Sequence, residues 1–420
     1  MDLFLKYSVV AILSSHVLAF KFNLTKVTSF PIKYPGFTSL YEIFDNTGKS
    51  SKYDLLISTF DPVPFSTDTV QIVSDVGKQI LSNSSNIIPK VVTTKVTWPN
   101  DISGVPRSVF NKSMVAIPDG FLVPFKTDGS ISLVDIDGKG PYKLTDDQTG
   151  KWFYHRVVWK DMDLDGDLDI LTCRAREPVI GKGKDSEMLW LENPGNYYTP
   201  WRPTVIAHGP DIFVIDAVLN TTEGPRDCLI AAQFFTSSLT IYWVDTKIAN
   251  WTDASKIKSR VIDNSIGNVF DVTVTDLNND GKPDLLVTNN GEIGSLYAYE
   301  VPADFRSGDF KRHSIATGFK PGKSGTGKGA PGAAMPVYPN TKINSSKPSI
   351  ILSGDDDGKA YYLEPVSNEP SDWLYSMMMF LDAGDGTVGE LSFADVDGDS
   401  YVEVFAPSYS TNELFVYRFT

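Results

Sequence analysis

The feature that most constrains the fold is a nine-residue acidic motif that occurs at three widely spaced places in the chain. It reads DMDLDGDLD at 161–169, DLNNDGKPD at 276–284 and DVDGDSYVE at 395–403. Each copy follows a short apolar or alternating segment and precedes two β-rich segments, such as 285–288 and 295–299 after the second copy. Recurrence of this kind is the signature of a repeat architecture, in which each repeat is one supersecondary unit.

Four further units have the same order of strand-like segments without a complete acidic motif. They begin near residues 53, 120, 227 and 349, so the units recur at intervals of about 50 to 65 residues. Additional strand-like segments, often beside a tryptophan, close several units. Seven such units predict a single all-β domain over 20–420, a seven-bladed β-propeller of four-stranded blades. Helical periodicity is confined to 75–81.

The last unit provides three strands of its own, and the segment 22–30 is predicted to supply the fourth. This N-terminal strand would complete the last blade and close the ring, which protects an otherwise exposed strand edge.

Composition excludes several classes of function. The chain has 38 basic and 52 acidic residues and a net charge of −14, which argues against nucleic acid as a partner because phosphate binding needs a basic face. Two cysteines and four histidines are too few for a disulfide-rich scaffold or a cysteine-built zinc or iron–sulfur site.

The N-terminal segment predicts export. The apolar run 7–19 has the length of a signal-peptide core and ends Val-Leu-Ala, so we expect a signal peptide over 1–19 and Phe20 as the mature start. No later run is long enough to span a membrane. The predicted product is a secreted, extracellular glycoprotein, with glycosylation sequons at Asn23, Asn83, Asn111, Asn220, Asn250 and Asn344.

The acidic motif predicts calcium binding. Its spacing directs side-chain oxygens from positions 1, 3, 5 and 9, and a backbone carbonyl from position 7, toward one centre, and Ca²⁺ takes six to eight such oxygens. Without a cation these carboxylates would repel one another. An EF-hand is excluded because its twelfth position, here Thr172, Val287 or Ala406, lies in a strand-like run instead of providing a glutamate. The alternative is an acidic turn that binds no metal.

On these motifs the units resemble FG-GAP/VCBS repeats, which build the propellers of integrin α-subunit heads and of certain fungal lectins. The resemblance extends over nearly the whole mature chain and implies calcium ligation in three units, whereas no calcium is expected in the other four. The implied ligands are Asp161, Asp163, Asp165, Asp167 (carbonyl) and Asp169; Asp276, Asn278, Asp280, Lys282 (carbonyl) and Asp284; and Asp395, Asp397, Asp399, Tyr401 (carbonyl) and Glu403. No lectin sugar site maps onto this sequence.

Catalytic motifs are missing from the sequence. There is no G-x-S-x-G or H-E-x-x-H pattern, and the G-K-S at 322–324 lacks the earlier glycine of a phosphate-binding loop. His155, His208 and His313 occur beside predicted outer strands, which indicates structural repetition. We therefore predict no catalytic residue and no organic cofactor.

Three functions fit this sequence. The first is a monomeric extracellular module that binds glycan or protein. The second is a carbohydrate-active lyase or hydrolase using the propeller funnel, and the third is an acidic structural matrix protein. Basic loops at 174–184 and 320–339 are candidate contacts for sulfated or carboxylated glycans.

Two smaller predictions concern individual side chains. Cys173 and Cys228 fall in the second strands of neighbouring units with a parity that lets them face each other across one blade interface. Two buried thiols are favoured, and a disulfide is left open. Asn220 and Asn344 lie in degenerate loops and are expected to be exposed and glycosylated on the same face as the acidic motifs.

Overall fold

The computed structural model describes residues 20–44, 50–83, 86–145, 152–177, 184–323 and 328–420. The predicted signal peptide and the side chain of Asn83 lie outside this part of the chain. The helices are α1 (Val76–Asn83) and α2 (Arg107–Phe110), with one 3-10 turn at Ala254–Lys256. None of the described helices is long and apolar enough to cross a bilayer.

The described strands form seven four-stranded antiparallel sheets, or blades. Blades 1 to 3 contain β2 (Pro35–Phe44), β3 (Ser50–Thr59), β4 (Thr69–Val73) and β5 (Lys90–Thr93); β6 (Ser103–Gly104), β7 (Met114–Pro118), β8 (Ile131–Asp135) and β9 (Tyr142–Lys143); and β10 (Phe153–Lys160), β11 (Asp169–Arg176), β12 (Asp185–Glu192) and β13 (Arg202–His208). Blades 4 and 5 contain β14 (Phe213–Thr221), β15 (Gly224–Gln233), β16 (Ser238–Val244) and β17 (Ile257–Asp263); and β18 (Val269–Thr275), β19 (Asp284–Asn289), β20 (Gly294–Glu300) and β21 (Lys311–Phe319). Blades 6 and 7 contain β22 (Ala334–Val337), β23 (Ser349–Ser353), β24 (Lys359–Pro365) and β25 (Tyr375–Asp382); and β26 (Ser392–Ala394), β27 (Glu403–Ser408), β28 (Glu413–Phe419) and β1 (Leu24–Pro31).

Each blade keeps its strands in chain order, and the seventh blade is completed by the N-terminal strand. β1 pairs with β28 in antiparallel register from Leu24 opposite Phe419 to Pro31 opposite Glu413. The prediction of an all-β, seven-bladed propeller closed by an N-terminal strand is therefore confirmed.

Antiparallel order gives the ring two faces. The loops between the first and second strands of the blades, including the three acidic motifs, lie on one face, which we call the acidic-loop face. The loops between second and third strands, and the connections from one blade to the next, lie on the opposite face.

The hydrophobic core consists of seven clusters, each of which fills the interface between two neighbouring blades. Side chains alternate along a strand, so a middle strand contributes to two clusters. In β19, Leu285 and Val287 pack toward blade 4, whereas Leu286 packs toward blade 6. Burial on both faces explains why these strands read as continuous apolar runs in the sequence.

The same alternation separates the two cysteines. Cys173 packs in the cluster between blades 3 and 4, and Cys228 packs in the cluster between blades 4 and 5. The expectation that they face each other is therefore wrong, since Cys228 points away from blade 3. Both are buried free thiols, as the sequence favoured, and burial raises the pKa of each above its usual range.

Ring closure gives a stability prediction. Phe30 of β1 is 2% exposed and packs between blades 7 and 1. We expect Phe30→Ala to lower the free energy of unfolding by about 3–5 kcal/mol, the usual loss for a buried phenylalanine. Thermal or urea unfolding measures this loss. The control Thr25→Ala, at an exposed position of the same strand, should change it by less than about 0.5 kcal/mol. Equal effects of the two substitutions would contradict closure through β1.

Candidate functional site

The first acidic loop, 161–169, connects β10 to β11. Its ends are fixed by the blade, because Asp169 is the first residue of β11 and accepts hydrogen bonds from the backbone N–H of Met162 (3.0 Å) and of Asn193 (2.8 Å). Asp161 accepts from the N–H groups of Leu164 (2.7 Å) and Gly166 (3.2 Å), so the loop folds back over its first carboxylate.

This folding brings predicted ligands together. Asp161, Asp163 and Asp169 each place one carboxylate oxygen within 4.8 Å of the others. Asp167 lies beside them, and burial together with the neighbouring aspartates raises its pKa to about 6. Carboxylates crowded in this way favour a bound cation or a bound proton, because either relieves the repulsion.

The second acidic loop, 276–284, has the same backbone arrangement. Asp276 accepts from the N–H groups of Asp280 (3.0 Å) and Gly281 (2.8 Å). Burial, with Asp280 and Asp276 nearby, raises the pKa of Asp284 to about 7. Asn278 supplies an amide oxygen where the first loop has Asp163, so this loop has one negative charge fewer at that position.

The third acidic loop, 395–403, is contacted by a cationic side chain from another strand of the same blade. Asp395, Asp397 and Asp399 place carboxylate oxygens within 4.8 Å of one another. The guanidinium of Arg418, however, binds Asp397, lies 3.8 Å from Asp399, and donates through Nε to the fully buried Glu403 at 2.6 Å. This arginine was missed by sequence analysis, although its position directly opposite Glu403 in the β27–β28 register explains the contact.

The degenerate loops differ among blades. In blade 4 the loop is reduced to a tight hairpin in which Thr221 pairs with Gly224. In blade 1 the corresponding residues 45–49 lie outside the described part of the chain. Asn220 and Asn344 are both exposed, which confirms their predicted accessibility, and Asn23, Asn111 and Asn250 are exposed as well.

A second polar cluster lies on the propeller axis, at the end of the central channel away from the acidic loops. Arg156 of β10 reaches Oε1 of Glu390 from blade 7 at 3.1 Å and Oδ1 of Asp271 from β18 at 3.9 Å. Its guanidinium also lies 4.0 Å from the centre of the Phe213 ring of blade 4. We call Arg156, Asp101, Asp271 and Glu390 the channel cluster.

The channel cluster carries more negative than positive charge, with three carboxyl groups around one guanidinium. The pKa of Glu390 is raised to about 7, mainly because the carboxyl group is buried. The attraction of Arg156 lowers this pKa, and repulsion from Asp101 and Asp271 raises it further. Oδ1 of the buried Asp271 accepts no hydrogen bond from the described residues. No sequence motif marks this cluster, because its members come from four different blades.

The sequence suggests that the three histidines occupy equivalent positions in different blades, but the structure shows that they do not. His208 and His313 lie on the outer strands β13 and β21, but His155 lies on the inner strand β10 and is buried against Phe213 and Phe37. The interpretation of the three histidines as one structural repetition is therefore wrong for His155.

In the basic loop of blade 3, both arginines, which lie in the described part of the chain, are paired with carboxylates. Arg174 pairs with Glu187 at 2.8 Å and Arg176 pairs with Asp185 at 3.1 Å, and both guanidinium groups lie 4.2 Å from the Trp152 ring. Lys320, Lys323 and Lys328 of the second basic loop are exposed.

The channel cluster predicts a pH effect on stability. Because the pKa of Glu390 is raised from 4.5 to about 7, the folded chain holds a proton that the unfolded chain releases between these values. This bound proton adds up to about 3 kcal/mol to the free energy of unfolding. The stabilisation is fully present below the ordinary carboxyl pKa and is lost as pH rises through about 7. Glu390→Gln, which resembles the protonated acid, should therefore raise the melting temperature at pH 8 and leave it nearly unchanged at pH 5. The same shift at both pH values would contradict this assignment.

Comparison with known proteins supports the fold. A family model described as "FG-GAP repeat" matches residues 268–301, which include the second acidic loop. No curated protein sequence matches the chain.

Two solved structures are among those to which the chain is similar. A structure titled "Structure of Dos1 propeller" is 9% identical, with a TM-score of 0.45, over 94% of this chain and 95% of that one. Another, titled "Crystal structure of glucose dehydrogenase", is 10% identical, with a TM-score of 0.44, over 77% of this chain and 96% of that one. The protein is a seven-bladed β-propeller whose fifth blade is similar to an FG-GAP repeat.

Proposed function

We propose that the protein is a secreted, calcium-binding propeller that acts as an extracellular binding module and takes a glycan at the mouth of its central channel. The observation that carries this proposal is the channel cluster, in which a guanidinium and three carboxyl groups meet aromatic rings on the axis. The side chains of Arg156 and Glu390 are 21% and 18% exposed, so both are accessible from the channel.

The chemistry of the cluster suits a sugar. A guanidinium donates hydrogen bonds and carboxylates accept them, which matches the mixed donor and acceptor character of hydroxyl groups. The half-buried ring of Phe37 lies in the same region, against His155, and offers an apolar surface, whereas Phe213 is buried beneath the Arg156 guanidinium and supports it. A few convergent polar groups among aromatic side chains are the usual composition of a small-ligand site. An extracellular protein remains the alternative ligand.

The acidic loops would hold calcium. In the first loop the ligands are Asp161, Asp163, Asp165, Asp169 and the carbonyl of Asp167, and the second loop offers the matching set with Asn278. A bound Ca²⁺ supplies positive charge that joins the first and second strands of a blade at their ends. The third loop is expected to bind calcium most weakly, because Arg418 competes for Asp397, Asp399 and Glu403.

Calcium dependence of stability tests the metal proposal. An ion that binds only the folded state stabilises it by about 2.7 kcal/mol per site at a hundredfold excess over Kd. EDTA should therefore lower the melting temperature, calcium should restore it, and Asp165→Ala should reduce the response. The control Asp309→Ala, at a fully exposed aspartate outside the loops, should keep the full response. A melting curve unaffected by both EDTA and calcium would exclude calcium binding.

A glycan array followed by calorimetric titration tests the ligand proposal. We expect binding to a defined set of glycans, and Arg156→Gln should weaken the best of these by roughly tenfold to a hundredfold, the effect of losing a charged hydrogen bond. The control Arg202→Gln, at an exposed position of β13, should bind normally, and melting curves verify that both variants are folded. No array signal, or equal affinity of a folded Arg156→Gln, would refute a glycan site at the channel mouth.

A further inference from the structure

Two neighbouring loops on the opposite face contain nearly the same hexapeptide. The loop between β3 and β4 reads VPFSTD at 63–68, and the loop between β7 and β8 reads VPFKTD at 123–128. Both fold into the same turn, closed by hydrogen bonds from Ser66 N–H to Val63 O (3.1 Å) and from Lys126 N–H to Val123 O (2.9 Å). The match between loops of blades 1 and 2 extends from sequence to conformation.

The phenylalanine of each turn is in a strained backbone conformation. Phe65 has φ 63° and Phe125 has φ 69°, both in the left-handed region. In a turn with proline at the second position, the third residue usually adopts this conformation only if it is glycine. A bulky residue there is unfavourable unless something compensates for it. Burial does not compensate, because the two residues are 84% and 68% exposed. The same backbone strain therefore occurs twice at one turn position, and each time it holds an exposed aromatic ring in place. This repetition indicates that the rings contact another molecule.

The two turns form one apolar projection. The ring centroids of Phe65 and Phe125 lie 4.8 Å apart, and Val63, Pro64 and Pro124 are exposed beside them. We call these five residues the aromatic tips.

Two of the three charged groups of the hexapeptides are paired with each other and buried, whereas Asp128 is exposed. Lys126 pairs with Asp68 at 2.7 Å, and the side chains are only 5% and 0% exposed. The same ammonium group donates to the carbonyl of Ser66 at 2.9 Å, so this buried pair fixes one turn against the other.

Size and hydrogen bonding indicate what the aromatic tips contact. Two phenylalanines bury at most about 150–250 Å² each, well below the roughly 800 Å² per partner of a stable protein interface. The prolines have no N–H, and the N–H groups of Val63, Ser66 and Lys126 are already bonded. A projection with few free donors suits a medium that offers no hydrogen-bond partners, as the interior of a lipid layer does.

The charge distribution fits the same orientation. The acidic loops, which hold much of the clustered negative charge, lie on the far face of the ring. Near the aromatic tips, the exposed Lys33 is paired with Asp61 at 2.8 Å, and Asp128 is exposed, so this region carries little net charge. Such a surface does not depend on anionic lipid.

We propose that the aromatic tips insert Phe65 and Phe125 into the interface of a zwitterionic phospholipid surface, with the acidic-loop face turned away from it. Binding of this kind is peripheral and reversible, and it is independent of a ligand in the central channel.

Flotation of the full-length mature chain with phosphatidylcholine vesicles tests the proposal. The key variant is Phe65→Gly/Phe125→Gly, which removes both rings and also relieves the backbone strain. We expect its vesicle partition coefficient to fall by at least a hundredfold, roughly tenfold or more per ring, while its melting temperature rises. The control Leu374→Gly removes an exposed leucine on the acidic-loop face and should bind vesicles like the wild type.

Three results would overturn the proposal. These are a wild type that does not float with the vesicles, a double variant that binds as well as the wild type, and binding that requires phosphatidylserine and disappears with added salt. Concentration-dependent dimerisation that is lost in the double variant, without vesicle binding, would assign the aromatic tips to a second copy of this chain instead.

Discussion

The fold depends on apolar packing between neighbouring blades, which becomes continuous only when the ring is closed. Each of the seven core clusters needs two blades, so an unpaired blade would leave one apolar face in water. The pairing of β1 with β28 completes blade 7 and lets Phe30 and Ile32 enter the cluster shared with blade 1. Closure covers the free edge of β28 with β1 and makes the stability of every blade depend on its neighbours.

A rigid ring brings distant residues into fixed contact on its axis and on its two faces. On the acidic-loop face, hairpins hold carboxylates close together, and each loop needs a positive charge to offset the repulsion. In the third loop that charge is provided in part by Arg418, a residue of the same blade. On the axis, Arg156 is surrounded by carboxyl groups from three other blades. The structure therefore separates a face suited to cations from a channel mouth suited to a polar ligand.

Much of the architecture could be predicted from the sequence because it follows local rules. The acidic motif marks the turn between the first two strands, the apolar runs mark strands buried on both faces, and the strand near residue 22 fits the incomplete last blade. The contacts that were missed depend on register and ring geometry. Arg418 meets Glu403 only through β27–β28 pairing, and the wrong expectation for Cys228 came from assigning its side chain to the wrong interface. The turns at Phe65 and Phe125 were overlooked because nothing in the hexapeptide shows that its ring is exposed.

Metal stoichiometry shows whether the acidic loops bind cations in the closed ring. Equilibrium dialysis of the chain from residue 20 onward against micromolar calcium, followed by elemental analysis, gives the number of ions per chain. We expect at least two bound calcium ions, with any third lost first as free calcium is lowered, because Arg418 opposes it. A folded chain that retains no calcium after dialysis would show that the acidic loops are not calcium sites.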